Sequence, residues 1–383
     1  MAKQTISIIG AGIGGLTVGR CLKQRGIPAI LYDRNSSPPS YNYAITLYAS
    51  AYSPLLKALG VTEHVFKSRV AVDAANGGTG KISDVSIGAG NNRGECFRAN
   101  RGKLEEWLRE GLDVRWEHAL HQVDQSSGTA TLLHFEDGQA IESDIIVGVD
   151  GVHSSSRRLL LPKSELEILP FVVFNGKRRI ERAVYEDKVA PHLKDSNVIN
   201  FKHGDARLNF NISDYDKAKV SVSWTYSRPS RGDGDALHKP GRELSKATVI
   251  PEELFEELDQ FRQVGLLPPF ADLFSPEIVR NDRILHWLMR TAHVPKEDLQ
   301  NLAQKDIVLM GDAAHAHPIV GGNGANIAIE DALHLTEHIT AMQKTDNHDF
   351  SDWISQRYPE WAESIQSASA NIEHLHSTQA QRL

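Results

Sequence analysis

The sequence has little cysteine, no long apolar run and no excess of positive charge, and each shortage excludes a class of protein. The only cysteines, Cys21 and Cys96, form no CxxC pair, which argues against a disulfide framework or a structural zinc site and favours a reduced, cytoplasmic setting. No apolar stretch approaches the ~18 residues that span a bilayer. The N-terminal residues MAKQT lack the layout of a secretory signal. We therefore expect a soluble protein with no membrane anchor.

The charge balance excludes partners that need a strongly basic surface. Lys and Arg number 42 against 49 Asp and Glu, a formal net charge of -7. Without a global basic field the chain is not expected to bind nucleic acid or an anionic membrane. Any anionic ligand must instead be met by local groups. No internal repeat is visible, and 383 residues that are 40% hydrophobic fit two or three domains.

The N-terminal region carries the clearest motif. Residues 5–32 have the pattern of strand, helix and strand, with the glycine turn GAGIGG between the first strand and the helix. Gly10, Gly12 and Gly15 form G-x-G-x-x-G, and Asp33 ends the second strand. Such glycines provide a tight turn, close approach to a pyrophosphate and close helix packing, while the acidic residue accepts hydrogen bonds from ribose. This context predicts dinucleotide binding and disfavours NADP as the bound group.

The remaining chain divides into two kinds of region. Strands predicted at 113–116, 130–135 and 145–149 continue the first sheet, and the Asp137-Gly138 pair is expected to form a hairpin turn. From about 162 to 285, strand-like segments joined by polar turns indicate a mainly antiparallel second domain. These segments are 171–174, 198–201, 208–212 and 220–226, with a helix at 251–264. A strand at 306–310 and helices at about 325–342 and 352–374 follow.

Two further motifs follow buried strands. Asp150-Gly151 comes directly after the strand at 145–149, and Gly311-Asp312-Ala313-Ala314-His315 follows the strand at 306–310. The second motif continues through Pro318 into a glycine-rich helix start, Gly324-Ala325-Asn326. Two strand-end carboxylates and a second glycine-rich helix start suggest one large ligand that crosses the carboxyl edge of the sheet.

With these three motifs in this order, the sequence resembles the FAD-dependent monooxygenases of the aromatic-hydroxylase type, which include salicylate and para-hydroxybenzoate hydroxylases and many fungal secondary-metabolite oxygenases. The resemblance implies an α/β fold, with a Rossmann-like FAD-binding domain and an interleaved, mainly antiparallel β-sheet substrate domain. The implied FAD-binding domain comprises 1–70, 95–160 and 286–383. The substrate domain comprises 71–94 and 161–285.

The resemblance also implies roles for particular residues. The glycine turn, with Gly10, Gly12, Gly14 and Gly15, would hold the pyrophosphate, and Asp33 with Arg34 would lie at the adenosine side. Arg101 would be a flavin-side ligand, Asp150 would support the second motif, and Asp312 with Pro318 would lie near the ribityl chain or pyrophosphate. The helix start at Gly324, Ala325 and Asn326 would approach the flavin ring edge, where the positive end of the helix would stabilise the reduced ring.

The activity implied is a cycle in which NAD(P)H, a transient co-substrate, reduces FAD and O2 adds to the reduced flavin. The C4a-hydroperoxide then passes one oxygen atom to a small organic substrate. Two alternatives stay open: an FAD-dependent dehydrogenase or reductase without oxygen insertion, and a non-catalytic flavoprotein. The sequence names no catalytic base. The candidates Tyr185, Tyr215, Tyr226, His192 and His203 are each expected to be structural. No metal site is expected from the pairs His315/His317 and His334/His338.

The sequence departs from the family pattern in three places. Asp33 replaces the more usual Glu, and residues 41–46 replace a glycine-rich stretch. The family's aromatic-Arg-Gly pattern is replaced by Phe174-Asn175-Gly176, so an arginine used by some relatives is missing. Four basic residues lie just beyond this point and are interpreted mainly as a solvated face, with an anionic substrate or nicotinamide phosphate as the alternative: Lys177, Arg178, Arg179 and Arg182.

Overall fold

The structure is a computed structural model that describes residues 4–83, 94–125, 130–321, 323–344 and 349–377. Residues 84–93, within the predicted substrate-domain segment 71–94, lie outside the described residues, as does Gly322 in the glycine-rich helix start. No helix in the described ranges is both long and apolar enough to cross a membrane.

The strands, in chain order, are β1 (Ile6–Ile9), β2 (Ile30–Tyr32), β3 (Ala44–Tyr48), β4 (Cys96–Asn100), β5 (Val114–Arg115), β6 (Leu120–Asp124), β7 (Thr131–Phe135), β8 (Ala140–Ser143), β9 (Ile145–Gly148), β10 (Glu167–Glu181), β11 (Val198–His203), β12 (Ala206–Tyr215), β13 (Lys219–Pro229), β14 (Arg283–Thr291) and β15 (Ile307–Leu309).

The helices are α1 (Ile13–Gln24), α2 (Ala49–Leu59), α3 (Glu63–Val70), α4 (Arg101–Arg109), α5 (Ser155–Leu160), α6 (Arg182–Val184), α7 (Glu252–Gly265), α8 (Phe270–Leu273), α9 (Pro276–Val279), α10 (Lys296–Ala303), α11 (Gly324–Met342) and α12 (Ser351–His376).

A parallel sheet places the three motif turns at one edge. Its strand order is β15-β9-β1-β2-β5, and β1, β9 and β15 are short, wholly buried apolar runs, as expected for strands covered on both faces. The register aligns the C-terminal residues Ile9, Gly148 and Leu309. The turns after these strands, which begin at Gly10, Val149 and Met310, therefore lie side by side.

The prediction that the strand at 130–135 continues this sheet is wrong. β7 belongs instead to a separate three-stranded antiparallel sheet, β6-β7-β8. Its residues alternate between buried and half-buried, which fits an antiparallel sheet with one covered face rather than a central parallel strand. The hairpin turn at Asp137-Gly138 does connect β7 to β8, with Gly138 at a φ of 86°.

The second large sheet is antiparallel, with the strand order β11-β12-β13-β10-β14. One face packs against helices α7 to α9 in an apolar core that includes Phe174, Phe210 and Trp224. The edge strand β14 spans Arg283–Thr291 and so crosses the predicted domain boundary at 285/286. A parallel Rossmann-like sheet joined to an antiparallel sheet is the predicted fold class, which is confirmed.

The other face of this sheet makes polar contacts with the β3–β4 ladder and the residues just before it. We call Asn175, Lys177, Asn209, Asn211, Ser223 and Thr225 the junction face, because the strand register puts them on one side of β10, β12 and β13. The two-stranded β3–β4 ladder packs near it: the Asn100 amide donates to the Ser213 carbonyl at 2.8 Å and the Asn42 amide to the Ser221 hydroxyl at 3.1 Å. The contacts with the β3–β4 ladder are therefore polar, whereas Val173, on the same side of β10, belongs to a small apolar cluster with Met289 and with Ile372 of α12.

Candidate functional site

The three motif glycines of the turn differ in their surroundings, and each suits a different task in binding a pyrophosphate. Gly10 has a φ of +113°, and a Cβ there would lie 2.6 Å from the Val149 carbonyl oxygen. A Cβ on Gly15 would lie 2.0 Å from the Gly10 carbonyl oxygen, whereas a Cβ on Gly12 would have nothing within 4 Å. Gly10 and Gly15 therefore make the turn and its packing possible, and Gly12 faces open space where a ligand can approach.

Helix α1 begins directly behind this open space. Its first turn contains no acidic residue, and no side chain caps it. The free backbone amides at the start of the helix, together with the helix dipole, form a favourable site for a phosphate. Gly14 in the same turn serves packing, since a Cβ there would lie 2.8 Å from Val149 Cγ2. The residues present fit a pyrophosphate.

Asp33 lies beside the glycine turn, as predicted. Its Oδ2 accepts a hydrogen bond from the Ala11 amide at 2.8 Å, and its Oδ1 accepts from the Asn35 amide at 2.9 Å and side chain at 2.7 Å. The Asp33 side chain, although shorter than the more usual Glu, therefore reaches the glycine turn. The adjacent Arg34 is exposed, and its charge contributes to lowering the pKa of His153, which burial lowers most.

The carboxylate of Asp150 accepts hydrogen bonds from other groups of the protein. Asp150 Oδ2 accepts from the amides of Ser155 and Ser156 at 2.7 and 3.0 Å, and Oδ1 accepts from the Ser154 hydroxyl. Asp150 thus holds the start of α5, which carries Arg157. The Arg157 guanidinium in turn donates to the carbonyls of Asp312 and Ala313 at 3.1 and 3.0 Å, which ties the second motif to the third.

The third motif brings Asp312 to the start of α11. A Cβ on Gly324 would lie 3.3 Å from Asp312 Oδ1, so the glycine lets the helix start approach the carboxylate. Burial raises the pKa of the Asp312 carboxyl, against the lowering effects of the His315 and Arg101 charges and of a hydrogen bond from the His317 backbone. Ala325 follows in the first turn of α11, and Pro318 is buried in the loop before it.

Asn326 ties this helix to the β3 strand. Its side-chain oxygen accepts from the Tyr48 amide at 2.9 Å, and its side-chain nitrogen donates to the Thr46 carbonyl at 3.0 Å. The side chain is fully buried, so only the backbone of this helix start is presented to a ligand. The sequence motif located the residue but not the direction of its side chain.

Arg101 begins α4 and lies among aromatic residues. Its Nε donates to Glu105 at 2.8 Å, a terminal nitrogen donates to the Tyr43 hydroxyl, and the guanidinium lies 4.2 Å from the Tyr41 ring centre. Arg101 directly follows β4, which pairs with β3, and β3 is hydrogen-bonded to Asn326 at the start of α11. The ladder thus connects Arg101 to the third motif.

Several residues in this region escaped the sequence analysis. Arg98 on β4 donates to the Thr46 hydroxyl at 2.8 Å, the Ala44 carbonyl at 3.0 Å and Asn211 at 3.3 Å. The alternation of Phe97 and Ala99 with Arg98 and Asn100 is the signal of a strand with one apolar face, and it would have indicated β4. Of the junction face, the sequence singled out only Asn175, in the departure from the family pattern, and Lys177, among four basic residues interpreted mainly as a solvated face.

Behind the third motif, a buried ionic cluster supports the GDAAH turn. His315 Nε2 lies 2.7 Å from Asp331 Oδ2, and its ring stacks on Trp361 with 4.4 Å between centres. Asp331 Oδ1 also accepts from Arg357 at 2.9 Å and from Trp361 at 2.7 Å. This cluster fixes α12 to the turn. Among the described residues no group of three or more His, Cys, Asp or Glu is arranged to hold a metal ion.

The five residues considered as catalytic bases lie away from the junction face. Tyr185 and Tyr226 are buried in the apolar core, where they bond to Tyr215 at 2.9 Å and to Glu257 at 2.8 Å. His192 and His203 are exposed beside Phe270 and Phe261. That these five residues are structural stays a prediction.

The chain matches known proteins along most of its length. It matches the FAD binding domain family over residues 3–175 and 281–353. It is 32% identical over 371 residues to the FAD-dependent monooxygenase nscC of Trichophyton tonsurans, covering 92% of this chain and 88% of the relative. It is 31% identical over 389 residues to the FAD-dependent monooxygenase adaC of Aspergillus niger, with coverages of 97% and 93%.

The fold is also similar to that of Klebsiella pneumoniae HpxO, solved with FAD and uric acid. The TM-score is 0.70 at 17% identity, with 98% of this chain and 89% of HpxO covered. Fold and site together define an FAD-binding oxidoreductase. The chain belongs to the FAD-dependent monooxygenases, the family that includes nscC and adaC, and the resemblance found in the sequence is confirmed.

Proposed function

We propose that this protein is an NAD(P)H-dependent FAD monooxygenase that inserts one oxygen atom from O2 into a small aromatic or polyketide-like molecule by hydroxylation or epoxidation. One observation carries the proposal: the three motif turns meet at one edge of the parallel sheet, and the polar junction face is joined to the same region through β4. When bound, FAD supplies the redox and oxygen chemistry. The protein supplies binding, orientation and shielding from water.

The proposed cofactor contacts follow from the local geometry. The amides of the glycine turn and of the first turn of α1 hold the pyrophosphate, since Gly12 leaves the approach open. Asp33 accepts from the adenosine ribose, and Arg101 and Asp312 lie along the ribityl side. The backbone at Gly324 meets the ring edge. The proposed division gives an FAD-binding domain of 1–70, 95–160 and 286–383 and a substrate domain of 71–94 and 161–285, except that all of strand β14 pairs with β10 on the substrate side.

The nicotinamide co-substrate is proposed to dock beside the second motif. Burial lowers the pKa of His153, and the charges of four basic groups lower it further: Arg290, Arg34, Arg157 and Arg158. Arg157 is occupied by backbone carbonyls, but in the described ranges Arg34, Arg158 and Arg290 pair with no carboxylate. In a chain with a net charge of -7, such a group of cations favours the phosphates of NAD(P)H.

The docking proposal is tested by Arg290→Met, with Arg280→Met as a control because Arg280 forms a surface pair with Glu252. We expect Arg290→Met to raise the KM for NAD(P)H about tenfold, as for the loss of one charge-assisted contact. The FAD content and the affinity for substrate stay unchanged. An equal effect of the two variants contradicts the assignment.

The activity is tested with 18O2. The purified protein is expected to be yellow, to release FAD on denaturation, and to consume NAD(P)H faster when its substrate is present in a panel of phenols, polyketides and indoles. One labelled oxygen atom in the product supports a monooxygenase. Substrate oxidation or reduction without label indicates the dehydrogenase or reductase alternative, and a flavoprotein that never consumes NAD(P)H indicates a non-catalytic protein.

A further inference from the structure

Arg98 is a half-buried cation for which the described part of the chain provides no carboxylate partner. Its hydrogen bonds all go to neutral groups, namely Thr46, the Ala44 carbonyl and Asn211. Its Nε is buried and has no partner among the described residues. Burial lowers the pKa of the Arg98 guanidinium to about 10. A guanidinium in these surroundings lacks the anion that normally offsets the cost of desolvation.

A second cation lies on the same surface. Lys177 shares a cross-strand row with Ser223 and Asn211 on the junction face, and Asn211 is the residue that Arg98 contacts. Adjacent strands are about 4.8 Å apart, so Lys177 on β10 lies two strands, about 10 Å, from Asn211 on β12. Its ammonium lies 4.8 Å from the Tyr43 ring centre and forms no ion pair with a described carboxylate.

The surface between these cations consists of amides and hydroxyls. Asn211 Nδ2 donates to Asn209 at 2.8 Å, and the Ser223 hydroxyl donates to Asn211 at 2.9 Å. In the neighbouring row Asn175 is 3% exposed, and its Oδ1 has no hydrogen-bond partner in the ranges described. A surface of this composition suits an oxygen-rich ligand with polar hydrogens, and it is poorly suited to a hydrocarbon.

We propose that Arg98 and Lys177 bind an ionised oxygen of the substrate, so that the enzyme takes its substrate as an anion such as a carboxylate, phenolate or enolate. Asn175, Asn209 and Asn211 then select among the other oxygen substituents. Arg98 and Lys177 provide fixed positive charge, and no acidic side chain among the described residues pairs with them. Their charge therefore stabilises the deprotonated form of the ligand without a dedicated protein base. This inference rests on the proposed monooxygenase function, since it identifies the substrate class of that site.

The test compares one probe in charged and neutral form: 3-hydroxy-2-naphthoate and its methyl ester. Binding to the FAD-loaded enzyme is followed through the flavin absorbance. The wild-type enzyme is expected to prefer the acid by about tenfold or more, as a charge-assisted contact implies. Arg98→Met is expected to remove this preference by weakening the acid alone, Arg98→Lys to restore part of it, and Lys177→Met to reduce it.

The matched control is Lys219→Met, which removes one positive charge from a surface pair with Glu181 and is expected to keep the preference. Three outcomes overturn the proposal: no preference for the acid in the wild type, equal weakening of acid and ester in Arg98→Met, or weakened FAD binding in Arg98→Met. The second outcome assigns Arg98 a purely structural role, and the third assigns its charge to the flavin.

Failure of the inference and failure of the proposed function are distinguishable. The binding assay reports only which form of the probe binds, whereas the 18O2 experiment reports oxygen transfer whatever the ligand charge. Thermal melts of each variant show whether it is folded. If Arg98→Met does not fold, Lys177→Met carries the test, because the Lys177 side chain makes no hydrogen bond to another element among the described residues.

Discussion

At the level of single residues, the glycine turn shows how one motif combines separate physical tasks. Gly10 is needed for its positive φ and for the close approach of Val149, and Gly15 for the contact of α1 with the turn. Gly12 has an ordinary φ of -83°, and a Cβ on this residue would have nothing within 4 Å. The first two requirements belong to folding and the third to the ligand, so substitutions can separate them.

We expect Gly12→Val to keep the stability of the apoprotein and to weaken FAD binding by more than about tenfold, because the side chain fills the space of the pyrophosphate. Gly15→Ala is expected to lower the stability of the apoprotein by roughly 1–3 kcal/mol or more through overpacking. Thermal melts of the apoprotein and FAD titration measure the two effects. Equal destabilisation by both variants would refute the division of tasks.

His286 provides a residue-level prediction about pH. Burial lowers its pKa to about 4, helped by the charges of Arg242, His238 and Lys239, so the folded state keeps the ring neutral. The unfolded chain, with a pKa near 6.5, binds the proton more readily. The contribution of His286 to stability is therefore complete above about pH 6.5 and falls as the pH decreases towards 4.

The His286 ring stacks on Phe174 with 4.5 Å between ring centres. Replacing His286 by Phe removes the titrating group and keeps an aromatic ring in this position. We expect the stability of His286→Phe to fall less steeply than that of the wild type between pH 6.5 and 4.5. Urea unfolding at several pH values provides the measurement. Parallel pH profiles for the two proteins are the contrary result.

At the level of elements, the sequence predicted best what is determined locally. The short apolar runs at β1, β9 and β15 and the glycine turns after them indicated the parallel sheet and its ligand edge. β7 was placed in the wrong sheet because a short apolar segment has the same composition in a parallel sheet and in an antiparallel one. Its alternating burial depends on which face the protein covers, and that is a tertiary property.

The candidate site was predicted to a similar extent. The motifs indicated Gly12, Asp33 and Asp312 as ligand-side residues, which stays a prediction. They did not indicate the inward direction of Asp150 and Asn326, whose side chains support neighbouring elements. The junction face could not be predicted, since its polar residues look like the solvated face of an amphipathic strand. Arg98 was missed for the same reason: its importance comes from what packs against it.

Strand β10 carries a prediction about packing between elements. A Cβ on Gly176 would lie 2.0 Å from the fully buried Trp224 ring on β13, so the glycine makes room for the tryptophan. We expect Gly176→Ala to lower the free energy of unfolding by roughly 1–3 kcal/mol or more. Gly234→Ala, with nothing within 4 Å, is the matched control. Chemical denaturation distinguishes them, and equal stability of the two variants contradicts the prediction.

At the level of the whole molecule, segments far apart in sequence build one binding region. The glycine turn at the N-terminus, the second motif at Asp150 and the third at Asp312 follow neighbouring strands, while the antiparallel sheet is inserted between them in the chain. Arg157 joins two of these turns and Asn326 joins the third to β3. A ligand that contacts all of them stabilises the whole chain, because a ligand that binds only the folded state shifts the unfolding equilibrium.

FAD is therefore expected to raise the melting temperature of the apoprotein in a concentration-dependent way. At a thousandfold excess over the Kd, the free energy of unfolding is expected to rise by about 4 kcal/mol. ADP, which presents the half that the glycine turn and Asp33 are proposed to bind, is expected to stabilise partially, and FMN less than FAD at equal concentration. Gly12→Val should lose the response to ADP first, since Gly12 faces the open space proposed for the pyrophosphate. Thermal melts with the three ligands measure this order, and an equal response to FMN and FAD in the wild type would show that the dinucleotide-binding turn contributes nothing to cofactor affinity.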